Sequence, residues 1–251
     1  VINLDHTGGN MADDSIVGAW ELVSDSRVAI AIFTGSHYAF VGAAKDRRPS
    51  AGDQATPDEA LEALNSCPAL SGTYTVSGSR ITQIRVANTR PNLSGRPAVV
   101  DYTIDGDILT STGVSGGAAT PGAVDTWRRL PDSGAGSPLV GAWELVDDAR
   151  QGVLIYTGTH YAVVQMQKER NLPKGDQYTP EEALEAISTS GSLAGTYSVS
   201  GNTVSAERIA NLRPTFVGVT AVHEFAVEGD TLNLRGISGI PLGEATWRRV
   251  G

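Results

Sequence analysis

Only one cysteine, Cys67, occurs in 251 residues. No disulfide can therefore form within the chain, and the lone thiol reads as a small buried group rather than a nucleophile, which suits a reducing cytoplasm. Basic charge is also scarce, with 19 Lys and Arg against 28 Asp and Glu and a net charge of −9. Nucleic-acid binders need clustered cations to displace counterions from phosphates, so no such partner is expected. No apolar run is long enough to cross a bilayer, and no basic segment followed by an apolar core opens the chain. A soluble, cytoplasmic protein without a membrane partner is predicted. The four histidines, His6, His37, His160 and His223, show no HExxH or paired CxxC spacing, and neither a GxGxxG opening a helix nor a Walker A sequence occurs. No metal and no cofactor is expected, haem on a single histidine being the one alternative weighed.

What is present is 40% hydrophobic residues, enough for packed cores, with 29 Gly and 12 Pro among many Thr and Val. That mixture favours short strands and tight turns. The strongest signal is internal repetition. Val17-Gly-Ala-Trp-Glu-Leu-Val23 returns as Val140-Gly-Ala-Trp-Glu-Leu-Val146, placing Trp143 at an offset of 123 residues from Trp20. The same offset carries Thr34-Gly35-Ser36-His37-Tyr38 onto Thr157-Gly158-Thr159-His160-Tyr161, and Gly52-Asp53-Gln54 onto Gly175-Asp176-Gln177. It likewise carries Gly72-Thr73-Tyr74 onto Gly195-Thr196-Tyr197, and Ala87-Asn88-Thr89-Arg90-Pro91 onto Ala210-Asn211-Leu212-Arg213-Pro214. Thr126-Trp-Arg-Arg129 pairs with Thr246-Trp-Arg-Arg249 three residues early, so only the last loop shortens.

Two like domains are predicted, residues 11–130 and 139–251, joined by a linker of small, turn-prone residues at 131–138, with Val1 to Asn10 read as an extension outside the fold. Within the first copy, alternation marks strands at 19–24, 28–33, 36–43, 72–76, 80–87, 99–104, 108–112 and 124–130, separated by turns such as Thr34-Gly35 and Asp105-Gly106-Asp107. Thr56-Pro57-Asp58-Glu59 and Thr179-Pro180-Glu181-Glu182 each combine a capping threonine, proline at the first helical position and glutamate three after the cap. One short helix per unit is predicted over a mouth or flank. The fold class is thus all-β: two tandem antiparallel barrels of about eight strands, closed so that no edge is left free.

The opening Gly-Ala-Trp-Glu-Leu-Val, the Thr-Gly-x-His-Tyr hairpin and the closing Thr-Trp-Arg-Arg resemble the bacterial lipocalin-like domain family, a calycin-type small barrel, over nearly all of each half. The resemblance implies a lumen for a small ligand; similar barrels include carriers and cofactor-free cyclases, isomerases and lyases. It transfers no catalytic residue.

Candidate chemistry comes from the residues. His37 and His160 hold the side chain best poised for proton transfer near neutral pH, against the plainer reading that each ties down a turn. Tyr38 and Tyr161 follow directly, so on a strand only one of each pair can face the lumen. Arg85 and Arg208 lie among small or apolar neighbours, where a guanidinium could hold developing negative charge or pair with Glu21 or Glu144. Asn88 and Asn211 precede X-Pro steps at a rim, while Trp20 and Trp143 read as core plugs that could also touch a ligand. The copies differ in polarity: Phe33, Gly42, Ala44, Gln83, Ile84 and Val100 align with Tyr156, Gln165, Gln167, Ala206, Glu207 and His223. The second unit is therefore expected to be the more polar site. The predicted function is binding of a small hydrophobic molecule with a polar group, with cofactor-independent isomerase, cyclase or lyase chemistry in the lumen; the alternative is a non-catalytic carrier or sensor. The two barrels are expected to pack on each other about a pseudo-twofold axis, and self-association of whole chains is left open.

Overall fold

A computed structural model describes residues 16–52, 54–116, 121–132, 136–175, 177–239 and 243–251. The segment 1–10 with His6, the start at Met11, Asp53, Asp176 and residues 133–135 of the linker lie outside the described residues.

The first half runs β1 (Gly18–Leu22), β2 (Arg27–Phe33), β3 (His37–Ala44), α1 (Pro57–Ser66), β4 (Ala69–Ser77), β5 (Arg80–Asn88), β6 (Pro97–Asp105), β7 (Ile108–Ser115) and β8 (Val124–Arg129). The second runs β9 (Gly141–Leu145), β10 (Arg150–Tyr156), β11 (His160–Gln167), α2 (Pro180–Ser188), β12 (Ser190–Ser200), β13 (Thr203–Asn211), β14 (Thr220–Glu228), β15 (Thr231–Ser238) and β16 (Glu244–Val250). Each set of eight strands is an antiparallel meander whose last strand pairs with its first, as in Leu22 opposite Trp127 and Leu145 opposite Trp247. The eight expected strands of the first copy are all found. The largest boundary differences are three residues: β7 runs on to Ser115, and β4 begins at Ala69 rather than Gly72 because the glycine sits inside the strand at a β-bulge, where Arg85 and Val86 together oppose it. A Cβ on Gly72 would stand 1.9 Å from the Ile84 carbonyl oxygen, and one on Gly195 would stand 1.8 Å from that of Glu207, so the bulge demands glycine in both copies.

Trp20 and Trp143 are fully buried, each donating its indole N–H to a backbone carbonyl four residues earlier, Ile16 at 2.9 Å and Leu139 at 2.8 Å. The guanidinium of Arg129 lies 4.1 Å from the Trp20 ring centre and that of Arg249 lies 4.0 Å from Trp143. Arg128 and Arg248 point outward and pair with Glu21 and Glu144.

Alternation on the strands serves two cores at once. In β2, Ala29, Ala31 and Phe33 face the lumen, whereas Ile30 and Ile32 face out and join Val41, Ala43 and Cys67 against Val153, Ile155, Val164 and Met166 of the other barrel. Outward isoleucines and valines are thus explained by a partner wall, not by solvent. The helices start where the capping boxes predict, with Glu59 and Glu182 completing them, and lie on the flank. Ala60, Ala63 and Leu64 of α1, and Ala183, Ala186 and Ile187 of α2, are the buried stripes that meet across the interface.

Polar contacts across this interface come in matching pairs. Arg47, just after β3, donates to the carbonyls of Asn211 and Leu212; Arg170, its counterpart after β11, donates to those of Asn88 and Thr89, both at 2.8 Å. Each arginine thereby satisfies carbonyls left over where the opposite barrel's fifth strand ends. The chain leaving each barrel lies against the other's second hairpin: Thr159 donates to Pro131 O at 2.8 Å, and Gly251 lies beside Ser36.

Candidate functional site

The first lumen encloses about 350 Å³, within the ordinary range for small-molecule sites. Its wall is mostly apolar, with Trp20, Phe33, Phe40, Leu70, Ile81 and Trp127 in prominent positions. The cavity opens toward the end that carries the long connections, where Pro68, Ser115 and Val124 line it and Arg27 pairs with Asp125 at 2.6 Å. Space is kept by small residues. Ala31 stands where the second copy has Leu154, and Gly42 lets the Phe40 ring lie over it, since a Cβ there would come within 2.9 Å of that ring.

Two of the expected residues bring polarity into this apolar space. Tyr38 on β3 and Arg85 on β5 both pair with Gly72 on β4, so they flank a position with no side chain. Arg85 is 3% exposed and spends its terminal nitrogens on neutral backbone carbonyls: Nη1 on Arg96 at 3.0 Å and Leu93 at 3.5 Å, Nη2 on Gly116 at 2.6 Å. It does not pair with Glu21. Its Nε and the Tyr38 hydroxyl are buried without a hydrogen-bond partner. Burial raises the Tyr38 pKa far above the phenolic range, opposed only by Arg85, and burial lowers that of Arg85. Both groups therefore act as hydrogen-bond donors. Gln83 and Ser111 complete the polar lining, Ser111 Oγ accepting from Trp127 Nε1 at 3.0 Å.

The histidines at the hairpins point the other way. His37 Nδ1 lies 2.7 Å from Ser36 Oγ, and its Nε2 lies 3.5 Å from Glu144 of the other barrel. His160 Nδ1 lies 2.7 Å from Thr159 Oγ1, with Glu21 and Asp132 as the carboxylates that act on it. Burial holds both imidazoles below their ordinary pKa, and these carboxylates work against it. Of each His-Tyr pair, the tyrosine faces the lumen. Asn88 is buried at the rim, donating to Ser94 Oγ at 3.0 Å.

The second lumen is smaller, about 270 Å³, and is lined by Arg150, Val163, Gln165, His223, Leu234 and Trp247 among others. Tyr156, Tyr161 and Trp143 pack in its core, Tyr156 and Tyr161 stacked with ring centres 5.9 Å apart. Arg208 is buried there and donates to Gly239 O at 3.2 Å; it helps lower the pKa of His223, after burial, and partly offsets the rise that burial imposes on Tyr161. Glu207 is exposed on the outer wall, and Gln167 is exposed at the end of β11. Asn211 is buried, its Oδ1 accepting from Arg213 N at 2.9 Å. The extra polar groups of the second copy thus divide: Gln165 and His223 reach the cavity, Glu207 and Gln167 do not. Ala31, Phe40 and Ser111 are lumen residues that sequence reasoning passed over; comparing the two copies position by position, Ala31 against Leu154 and Phe40 against Val163, held the signal.

Residues 140–250 match the family model of the lipocalin-like domain. The second half of the chain is a lipocalin-like domain. The first half, repeating its sequence in register and its barrel strand for strand, makes the lipocalin-like architecture a tandem one. Among solved structures, an uncharacterized protein from Saccharomyces cerevisiae, YLR301w, shares the fold of both lipocalin-like barrels together, with a TM-score of 0.52 and 13% identity over 94% of this chain and 98% of its own. A protein of unknown function of the DUF3598 family from Nostoc punctiforme aligns over 94% and 97% of the two chains at 11% identity, with a TM-score of only 0.21. Comparison with curated proteins gives no match.

Proposed function

We propose that this tandem lipocalin-like protein binds a small, largely apolar molecule in the lumen of its first barrel and acts as a carrier or sensor of it. The observation that carries the reading is a lumen of about 350 Å³ walled by aromatic and aliphatic side chains and kept open by Ala31 and Gly42. Among the described residues lining it there is no histidine, and its carboxylate, Asp125, is held by Arg27 at 2.6 Å. Tyr38 and Arg85 are donors that orient a ligand without exchanging protons near neutral pH. Cofactor-independent isomerase, cyclase or lyase chemistry finds its support in the second barrel, where His223 lines the cavity and Arg208 acts on it.

The test uses 1-aminoanthracene, a neutral apolar probe, with quenching of the lumen tryptophans Trp20 and Trp127 as the signal. Binding to the intact chain should weaken at least tenfold in Ala31→Phe, a position that already accepts Leu154 in the second copy, with the melting temperature unchanged. Binding unaltered by that plug, or absent from the unmodified protein, refutes the reading.

A further inference from the structure

The donor and acceptor balance of the first lumen is lopsided. Its wall is mostly aromatic and aliphatic with Gln83 and Ser111 as polar exceptions, and two buried polar atoms of its lining residues lack partners, Tyr38 Oη and Arg85 Nε. Both residues are almost fully buried, Tyr38 at 1% and Arg85 at 3% exposed, where an unpaired polar group is costly. Among the described residues the guanidinium charge is also uncompensated locally. Its hydrogen bonds run to the carbonyls of Leu93, Arg96 and Gly116, which are neutral, and the carboxylate on the lumen wall, Asp125, is taken by Arg27 at the mouth. A buried cation whose hydrogen bonds run to neutral acceptors favours an anion beside it. Tyr38 and Arg85 stand on strands either side of β4, both registered on Gly72, which places no side chain between them.

We infer that the molecule bound in the first lumen is a monocarboxylate on an apolar body, its carboxylate seated between Tyr38 and Arg85. This rests on the ligand-binding reading of that lumen. One cation and one hydroxyl match a single negative charge shared over two oxygens, one for each donor. The apolar remainder of the ligand occupies the space bounded by Trp20, Phe40, Leu70 and Trp127. A neutral alcohol of the same length would fill that space and could accept from one donor, but would leave the charge uncompensated.

The experiment compares decanoate with 1-decanol, each displacing 1-aminoanthracene from the full chain. Decanoate should bind about ten- to a hundredfold more tightly than 1-decanol, the range for hydrogen bonds to a charged group. Arg85→Met and Tyr38→Phe should each shrink that ratio at least about fivefold while 1-decanol affinity stays within about twofold. Tyr38→Phe removes one oxygen and keeps the ring, so it carries the test if Arg85→Met does not fold. Equal affinity of the two probes, or an unchanged ratio in the folded variants, overturns the carboxylate inference and leaves the lumen reading standing. Failure of decanoate, 1-decanol and 1-aminoanthracene alike to bind the unmodified protein overturns both.

Discussion

Replacing Arg170 by Met isolates how much the reciprocal arginine contacts hold the barrels together. The methionine keeps most of the aliphatic stem and removes the guanidinium, so the carbonyls of Asn88 and Thr89 lose donors at 2.8 Å and that of Ala186 loses one at 3.1 Å. A buried acceptor stripped of its donor costs about 1–3 kcal/mol, which gives a gross loss of several kcal/mol for three. Opposing it is the release of a cation whose burial already lowers its pKa to about 10. With water entering to replace part of what is lost at this half-buried residue, a net destabilisation of about 2 kcal/mol is expected. In urea, with a slope of about 2–3 kcal/mol per molar, that moves the midpoint down by roughly 0.7–1 M. Arg47→Met, which strips Asn211 and Leu212 of their donor, should do the same, and the double variant should separate unfolding into two transitions as the barrels lose their coupling. Circular dichroism and tryptophan fluorescence across the urea titration report both effects. If each single variant stays within about 0.5 kcal/mol of the parent, the contacts contribute no more than ordinary surface pairs and the reasoning fails.

Other expectations follow from burial and from the bulges. His37, His160 and His223 all have folded pKa values below the ordinary imidazole value, with burial as the first cause. The unfolded chain binds these protons more readily, so stability is full above about pH 6.5 and declines as pH falls through the lower folded values. This window lies above the more acidic one in which Glu59, Glu182, Asp101 and Asp147, all held below the usual carboxylate range, are protonated. Melting temperatures should fall between about pH 7 and pH 5, and less so in His37→Gln; a flat profile there contradicts the assignment. Gly72→Ala and Gly195→Ala place a methyl group on backbone oxygen and should each cost about 3 kcal/mol or more in urea unfolding, whereas Gly35→Ala, with open space at its Cβ, should be near neutral. Equal behaviour of the three alanine variants would dismiss the steric account.

Architecture was legible because it is written at periods that a sequence displays directly. Alternation gave the strands, Thr-Pro-x-Glu gave the helix starts, and a constant offset gave the duplication. The lumen was less legible because facing in and facing out look alike on a strand whose two sides are both buried. Ile30 and Ile32 are as apolar as Ala29 and Ala31, and only the partner barrel distinguishes them. The same ambiguity made His37 and Tyr38 interchangeable candidates until the register fixed the tyrosine inside. At Gly72 the bulge shifts the alternation of β5 by one residue, a change no count of polar and apolar positions discloses. Arg47 and Arg170 repeat at the common offset, but their acceptors are main-chain carbonyls of the opposite barrel, which carry no signature in residue type.

Fusion of the two copies has a consequence for how they can diverge. The wall where they meet has to remain complementary, and it still carries the same chemistry on both sides, His37 with His160 and Arg47 with Arg170. The inner walls answer to no such constraint, because neither touches the other. Ala31 differs from its counterpart Leu154, and Val100 from His223, without disturbing the joint. Covalent linkage thus frees each interior to specialise while the pair is inherited as a unit, a division of labour denied to an assembly of identical subunits.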